Sequence, residues 1–383
     1  MPKTSANIIE SMEIGSGDRG GEQPGPIRKI DVAGFLSCYA IPLLLIVIVA
    51  TFCMLKPSTF ATADNIDSVL SIEAVTIMVA LAGAMVLVVG EFDVSLANNT
   101  ALVAALVVGL QVLQHLSWIE AIIVGLVVSV LAGLLNGFLV VKLRMSSFVA
   151  TLGTYSLLEG AWIWYLSDQT LSPTTPLATP FVDIGRSSIF GIYAPFFVAI
   201  ILAFVAWFVL SYLPTGRRMY AVGGNRQAAK LSGIKADRMV IGAFVVAGLL
   251  AGIGGVLLGA QYLDASPGAG SELLFPAFAA VFLGATTIRP GRYNIAGILV
   301  AAYALAFMIS GLQQLGGVWS EQWVGPTFNG AALVIGVALS TSAFAAKERR
   351  SKREQLRRLV VGAKVDRPGE QRNSAEGANY VER

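Results

Sequence analysis

Ten apolar stretches recur along this chain, near residues 33–55, 68–90, 96–113, 119–141, 147–166, 193–213, 240–262, 273–288, 294–313 and 328–346. A helix needs about 20 apolar residues to cross the ~30 Å hydrocarbon core of a bilayer. Lipid offers the backbone no hydrogen-bond partner, so apolar segments of this kind must satisfy themselves as helices. Composition agrees. Hydrophobic residues make up 55% of the 383 and charged residues only 13%, with a mean hydropathy of +0.70. That balance excludes a water-soluble globular domain, a disordered chain and a disulfide scaffold. The expected fold is an all-α integral membrane protein of about ten transmembrane helices. The stretches 96–113, 147–166 and 273–288 are short or carry polar residues, so broken or re-entrant helices are expected there.

The basic residues order these segments across the membrane. With the N-terminus placed in the cytoplasm, all of the 27 Lys and Arg except Lys56 and Arg186 fall on the cytoplasmic side, as the positive-inside rule requires. This predicts a multi-pass protein of the bacterial inner membrane with both termini cytoplasmic. Residues 1–32 are polar and Gly/Pro-dotted and predict a flexible tail rather than a signal peptide. Residues 33–346 form the membrane domain. Residues 347–383 form a second tail, basic to about 359 and then disordered from 362. Its KERRSKREQLRRL run suits an anionic lipid surface, and no nucleic-acid partner is expected. The loop near 167–192 is rich in Ser, Thr and Pro and predicts a structured cap on the outer face.

Segments two to five and seven to ten are displaced by five spans, which reverses their orientation. Both sets hold a Gly-rich helix followed by a weak one, which points to an inverted repeat. Gly133/Gly137, Gly248/Gly252 and Gly255/Gly259 are small-residue pairs that let helices approach closely. The tryptophans lie near predicted span ends and read as an aromatic belt; Trp162 or Trp164 would alternatively stack on a sugar ring. One histidine, His115, and two cysteines, Cys38 and Cys53, far apart on one helix, argue against a metal site.

Two groups of polar residues stand out. The first surrounds VVGEFDVSLANNTA, where Glu91 and Asp93 are followed by Ser95, Asn98 and Asn99. One reading is a discontinuous helix lining a transport pathway; the other is a cytoplasmic turn in which Asp93 caps the next helix. Further along, Thr151, Tyr155 and Glu159 recur at helical spacing and share a face that suits a polar cavity. Glu73 and Glu159, inside apolar runs, are expected to face a cavity or a partner rather than lipid.

The second group is the 214–238 loop, which holds Gly216, Arg217, Tyr220, Gly223, Gly224, Asn225, Ala228, Ala229, Ser232 and Gly233. Glycines 216, 223 and 224 read as sharp turns. Between them and Gly233, residues 225–232 predict a short helix capped by Asn225, with Ala228 and Ala229 on its surface. Such a helix, held along the membrane, is a docking surface for another protein. The alternative is a loop that only sets topology. No phosphate-binding G-x-x-x-x-G-K-[ST] occurs, nor a G-x-S-x-G, H-E-x-x-H or C-x-x-C set. The chain is therefore expected to hold no cofactor and no catalytic site of its own.

At this loop the chain resembles the permease subunits of bacterial ATP-binding cassette importers of the ribose/xylose/arabinose class. GRRMYAVGGNRQAAKLSGI is similar to the family pattern G-R-x-x-Y-A-x-G-G-N-x-x-A-A-x-x-S-G-I. VVGEFDVSLANNTAL is similar to its G-G-I-D-L-S-V-G-S stretch, and SSFVATLGTYSLLEGAWIWY to its P-F-I-A-T-L-G segment. Departures occur at Gly90-Glu91-Phe92-Asp93, at Leu96-Ala97-Asn98 and at Arg289-Pro290-Gly291-Arg292, where a G-G-x-G turn is usual. The resemblance implies a type II-like importer permease that takes up a monosaccharide or related polyol by alternating access. It implies two permease copies, identical or paralogous, in one bilayer. It implies separate ATPase subunits, which bind ATP and Mg and dock on the 216–234 loop, and a periplasmic sugar-binding protein. Two other readings remain open: an ion-coupled secondary transporter using the membrane carboxylates, and an ATP-binding cassette permease for amino acids.

Overall fold

The structure, a computed structural model, describes residues 32–266 and 270–365. The first tail and the end of the second, from 366, lie outside the described residues. The chain is helical almost throughout. The elements are α1 (Val32–Leu55), α2 (Ala63–Val88), α3 (Leu96–Val112), α4 (Trp118–Val141), α5 (Ser147–Leu166) and α6 (Thr179–Arg186). A two-stranded hairpin follows, β1 (Ser188–Ile189) with β2 (Ile192–Tyr193). Then come α7 (Ala194–Tyr212), α8 (Pro214–Gly224), α9 (Arg226–Leu231), α10 (Ala236–Tyr262), α11 (Ser271–Gly284), α12 (Ile295–Leu315), a 3-10 turn at Gly317–Ser320 and α13 (Val324–Val365).

All ten apolar stretches are helices, with bounds close to those expected. Among the described residues, seven helices are long and apolar enough to cross a membrane: those of α1, α2, α4, α7, α10, α12 and the first part of α13. The other three are the stretches read as weak. α3 and α11 have 17 and 14 residues, and α5 carries Thr151, Thr154, Ser156 and Glu159 in its 20. The helix starts follow local chemistry. Ser117 and Glu120 form a reciprocal capping box on α4, and the side chains of Thr62 and Asn294 accept from backbone N–H groups of α2 and α12. α13 does not stop at the membrane segment: it runs through the basic stretch to Val365, four residues into the part expected to be disordered. Its last turns are rich in Lys, Arg, Glu and Leu, which are strong helix formers.

The centre of the bundle is α2 with α10. α2 is buried on all sides from Ala74 to Val86. α10 presents a small-residue face to α3 and α4. A Cβ on Gly252 would sit 2.8 Å from the Ser129 side chain of α4, and one on Gly255 would sit 2.6 Å from Val103 of α3. Gly133 of α4 meets Gly248 at 3.3 Å by the same test. These glycines therefore pack helices, as expected. Ser129 also donates its hydroxyl to the Gly248 carbonyl. Outward, α1, α4 and α13 present Ile46, Leu131 and Val334, all more than half exposed. Faces of this kind are at home against lipid tails.

Residues between α5 and α7 do form a structured cap, built from α6 and the β1–β2 hairpin. The Arg186 Nε donates to the Gln261 carbonyl at 3.0 Å, and the Tyr193 N–H donates to Asp67 at 2.7 Å. An isolated antiparallel bridge pairs Leu171 with Ala265. Trp164 is 82% exposed, but Trp162 is buried with Phe181 and Leu166. Trp162 therefore departs from the expected belt, because the helix turns that side toward α3 and α6.

Candidate functional site

The polar residues singled out from sequence converge at one end of the bundle, where α8 and α9 meet the turn between α2 and α3. That turn begins at Gly90, whose φ of +84° lies in the left-handed region that favours glycine. It continues through Glu91, Phe92 and Asp93 into α3.

Asp93 is buried and fully engaged within the chain. Its Oδ1 accepts from the Ser95 N–H at 2.9 Å and from the Ser95 hydroxyl at 2.6 Å. Asn136 of α4 donates to the Ser95 hydroxyl oxygen at 2.8 Å and more weakly to Asp93 at 3.4 Å. Thr151 of α5 accepts from the Val94 N–H at 3.1 Å, and Ser147 accepts from the Phe92 N–H at 3.1 Å. The turn is therefore tied to both α4 and α5. Phe92 stacks on Phe278 of α11 with ring centres 4.5 Å apart and planes at 13°.

Glu91 points the other way. Its carboxylate accepts from Arg226 at 2.9 Å, across 135 residues of sequence. Arg226 donates a second time, to Asp237 at 2.9 Å, and Lys230 pairs with the same Asp237 at 3.0 Å. No Lys or Arg lies near Glu91 in the sequence, and the structure brings one from α9. A cavity of about 580 Å³ opens beside this network, lined also by Arg144, Ser146 and Ser147.

The remaining candidates form a band deeper in the bundle. Asn98 donates to the Tyr155 carbonyl at 3.1 Å, and Asn99 donates to the Ser129 carbonyl at 3.3 Å. Asn99 keeps a buried carbonyl oxygen with no partner among the described residues. Tyr155 and Glu159 are half-buried on α5. A second cavity of about 200 Å³ lies toward the cap, lined by Trp162, Tyr262, Asp264, Ser266 and Glu272. Burial there pushes the Asp264 carboxyl above its ordinary range. Among the described residues no cluster of three metal-ligating side chains occurs.

The 214–238 segment is more firmly seated than its polarity suggests. Gly216 and Gly223 are not turns. Both lie within α8, where they allow contact with other backbone. A Cβ on Gly216 would sit 2.5 Å from the Leu210 Cα of α7, and one on Gly223 would collide with the Val88 carbonyl oxygen. Gly224 is also helical, with open space around it. The sharp turn comes later, at Gly233, with φ of +79°. Arg217 donates to the Tyr212 carbonyl at 3.3 Å. Tyr220 donates its hydroxyl to the Tyr293 carbonyl at 2.6 Å, with the Arg292 guanidinium 3.7 Å from its ring centre.

Beyond this anchor the predicted short helix is present. Asn225 caps α9 by accepting from the Ala228 N–H at 2.9 Å, and Ser232 closes it by donating to the Ala228 carbonyl at 3.0 Å. Ala228 is exposed as expected. Ala229 is buried against the bundle, because α9 lies with one face down on it. Leu231 is 86% exposed.

Known proteins are similar to this chain in sequence. Residues 65–339 match the family described as branched-chain amino acid transport system / permease component. The ribose import permease protein RbsC of Bacillus subtilis (strain 168) is 34% identical over 274 residues, which cover 71% of this chain and 84% of its own length. The ribose import permease protein RbsC of Haemophilus influenzae is 30% identical over 272 residues, with the same coverage of 71% and 84%. The D-allose transport system permease protein AlsC of Escherichia coli (strain K12) is 28% identical over 288 residues, covering 75% of this chain and 87% of its own. No solved structure matches the chain. With a family match across most of its membrane helices and sugar-import relatives aligned over most of both lengths, this chain belongs to the transport-system permease family, among its ATP-binding cassette sugar importers.

Proposed function

We propose that this chain moves a monosaccharide or related polyol across the bacterial inner membrane as the permease subunit of an ATP-binding cassette importer. Ten spans with both termini cytoplasmic fit its charge distribution, and the paired Gly-rich and weak helices of its two halves support an inverted repeat. The observation that carries the reading is α9: a capped helix on a braced support, with Leu231 presented outward. Separate ATPase subunits, which would bind ATP and Mg, dock there. Their closure pushes the helix and switches the permease between outward-open and inward-open states. A periplasmic sugar-binding protein delivers the solute at the capped end, and a second permease copy, identical or paralogous, completes the pathway. The chain itself contributes no catalytic residue and no cofactor. Asn98, Asn99, Tyr155 and Glu159 are the polar groups best placed along the route. Glu91, Asp93, Ser95 and Thr151 form its inner end.

The test is a pull-down of the tagged chain from mild detergent, with ATPase activity assayed on the eluate. Co-purification of an ATPase that is lost when residues 223–232 are scrambled is the expected result. A single chain that moves solute in liposomes on an ion gradient, without ATP, overturns it in favour of ion coupling through the membrane carboxylates.

A second reading, an amino acid as solute, is favoured by the wording of the family match. The sugar-import relatives favour the first. Competition of radiolabelled ribose uptake by unlabelled pentoses, hexoses and branched-chain amino acids separates the two.

A further inference from the structure

We infer that Glu91 and Arg226 form a strut that makes α9 and the α2–α3 turn one rigid body, so that displacement of the helix is delivered to Phe92 and from it to α11. The inference rests on the ATPase-driven reading above. Two contacts join the turn to the α8–α9 segment, and a third braces Arg226 from α10. Glu91 and Arg226 are paired at 2.9 Å, and the Glu91 side chain is only 15% exposed. One residue earlier, a Cβ on Gly90 would sit 3.3 Å from the Gly223 Cα, so the turn and the end of α8 meet backbone to backbone. Arg226 is held from its other side by Asp237 at 2.9 Å, which fixes the guanidinium between α10 and the turn.

What the strut moves is defined by the next two residues. Phe92 lies flat on Phe278 of α11, and its ring centre is 6.1 Å from that of Phe148 on α5. Asp93 is locked to Ser95 and, through it, to Asn136 of α4. The turn therefore has sides hydrogen-bonded to α4 and, through Ser147 and Thr151, to α5, and an apolar, stacked side toward α11. An aromatic stack slides at low cost, whereas a buried hydrogen-bonded carboxylate does not. A push on α9 along the strut carries the turn with its α4 and α5 anchors and slides the Phe92 ring against Phe278 of α11. In this role Glu91 and Arg226 are positioning residues, acting through Phe92.

The experiment uses the whole importer in proteoliposomes, with its ATPase and binding protein, and reads radiolabelled ribose moved per ATP hydrolysed. Glu91→Gln keeps the size of the side chain and removes its charge. The expected result is a fall of about tenfold in that ratio, the scale of losing one half-buried charge pair. A ratio equal to wild type overturns the strut. A second arm places Glu91→Cys and Arg226→Cys in a background with Cys38→Ser and Cys53→Ser. Bridging the pair with a short, reducible thiol-reactive linker is expected to restore the ratio, and reductant to abolish it again. Arrest of uptake on bridging overturns the proposal, because it means the two positions must separate in each cycle. Failure of the underlying function reads differently: no ATPase accompanies even the wild-type chain.

Discussion

The Arg292 guanidinium lies 3.7 Å from the centre of the Tyr220 ring, while the Tyr220 hydroxyl donates to the carbonyl of the adjacent Tyr293 at 2.6 Å. One side chain of α8 is thus gripped twice by the segment between α11 and α12. This grip keeps α8 on the bundle, beside α9. Tyr220→Phe removes the hydrogen bond and keeps the ring. It should cost about 1 kcal/mol, the net worth of an ordinary hydrogen bond, and leave a carbonyl oxygen seeking water. Arg292→Ala should cost a similar ~1 kcal/mol as the cation leaves the ring face. Thermal unfolding in detergent checks both. The two effects should be less than additive, because each change loosens the same anchor.

The glycines of the same element separate cleanly by what surrounds them. Gly223→Ala drives a methyl group into the Val88 carbonyl region, where only backbone is available to yield. A loss of roughly 1–3 kcal/mol is expected, as for overpacking in a tight site. Gly224 has nothing within 4 Å of an added Cβ, so Gly224→Ala should fold as the wild type does. A bulky Gly224→Leu should also leave the fold intact yet weaken binding of the ATPase partner. Circular dichroism melts for the first pair and ATPase co-purification for the last decide these outcomes.

How much of this was legible beforehand follows from range. The ten helices were readable because hydropathy is a local property, and so were Asn225 as cap and the short helix after it. The weak stretches 96–113, 147–166 and 273–288 are the helices that lack length or apolarity on their own. Gly216 and Gly223 misled because glycine in a polar segment reads as a turn, although here it marks where backbones touch. Ala229 misled because a six-residue helix gives too few positions to tell its buried face. The Glu91–Arg226 pair, 135 residues apart, and the Phe92–Phe278 stack leave no local trace. Nothing within either segment encodes which distant partner it will meet.

Asp93 offers a test of whether the inner carboxylates carry ions or hold structure. Its oxygens serve Ser95 and Asn136. Asp93→Ala should strand those donors in a buried site and cost about 1–3 kcal/mol. Asp93→Asn keeps one acceptor and should cost less, with uptake retained at the level its stability allows. An ion-coupled carrier would behave in the opposite way, folding normally with Asn and losing all uptake. Parallel melts and uptake assays on the two variants separate the possibilities.

Leu231 is the residue whose change should affect partnership and nothing else. At 86% exposure it buries almost no surface within the chain, so Leu231→Asp should leave the melting temperature within the range of ordinary surface substitutions, about ±0.5 kcal/mol. If α9 seats in a groove of an ATPase subunit, the same change puts a charge into an apolar contact. Removing the leucine side chain from a filled pocket at the centre of an interface costs about 2 kcal/mol or more, and an unpaired carboxylate adds to that. The tagged variant should therefore retain less than about a tenth of the co-purifying ATPase activity, since each 1.4 kcal/mol is a factor of ten in affinity. Leu231→Ile preserves the apolar surface and should recover most of it. Equal ATPase recovery from all three chains would move the contact off this face of α9 and toward the charged cavity lined by Arg144 and Lys230.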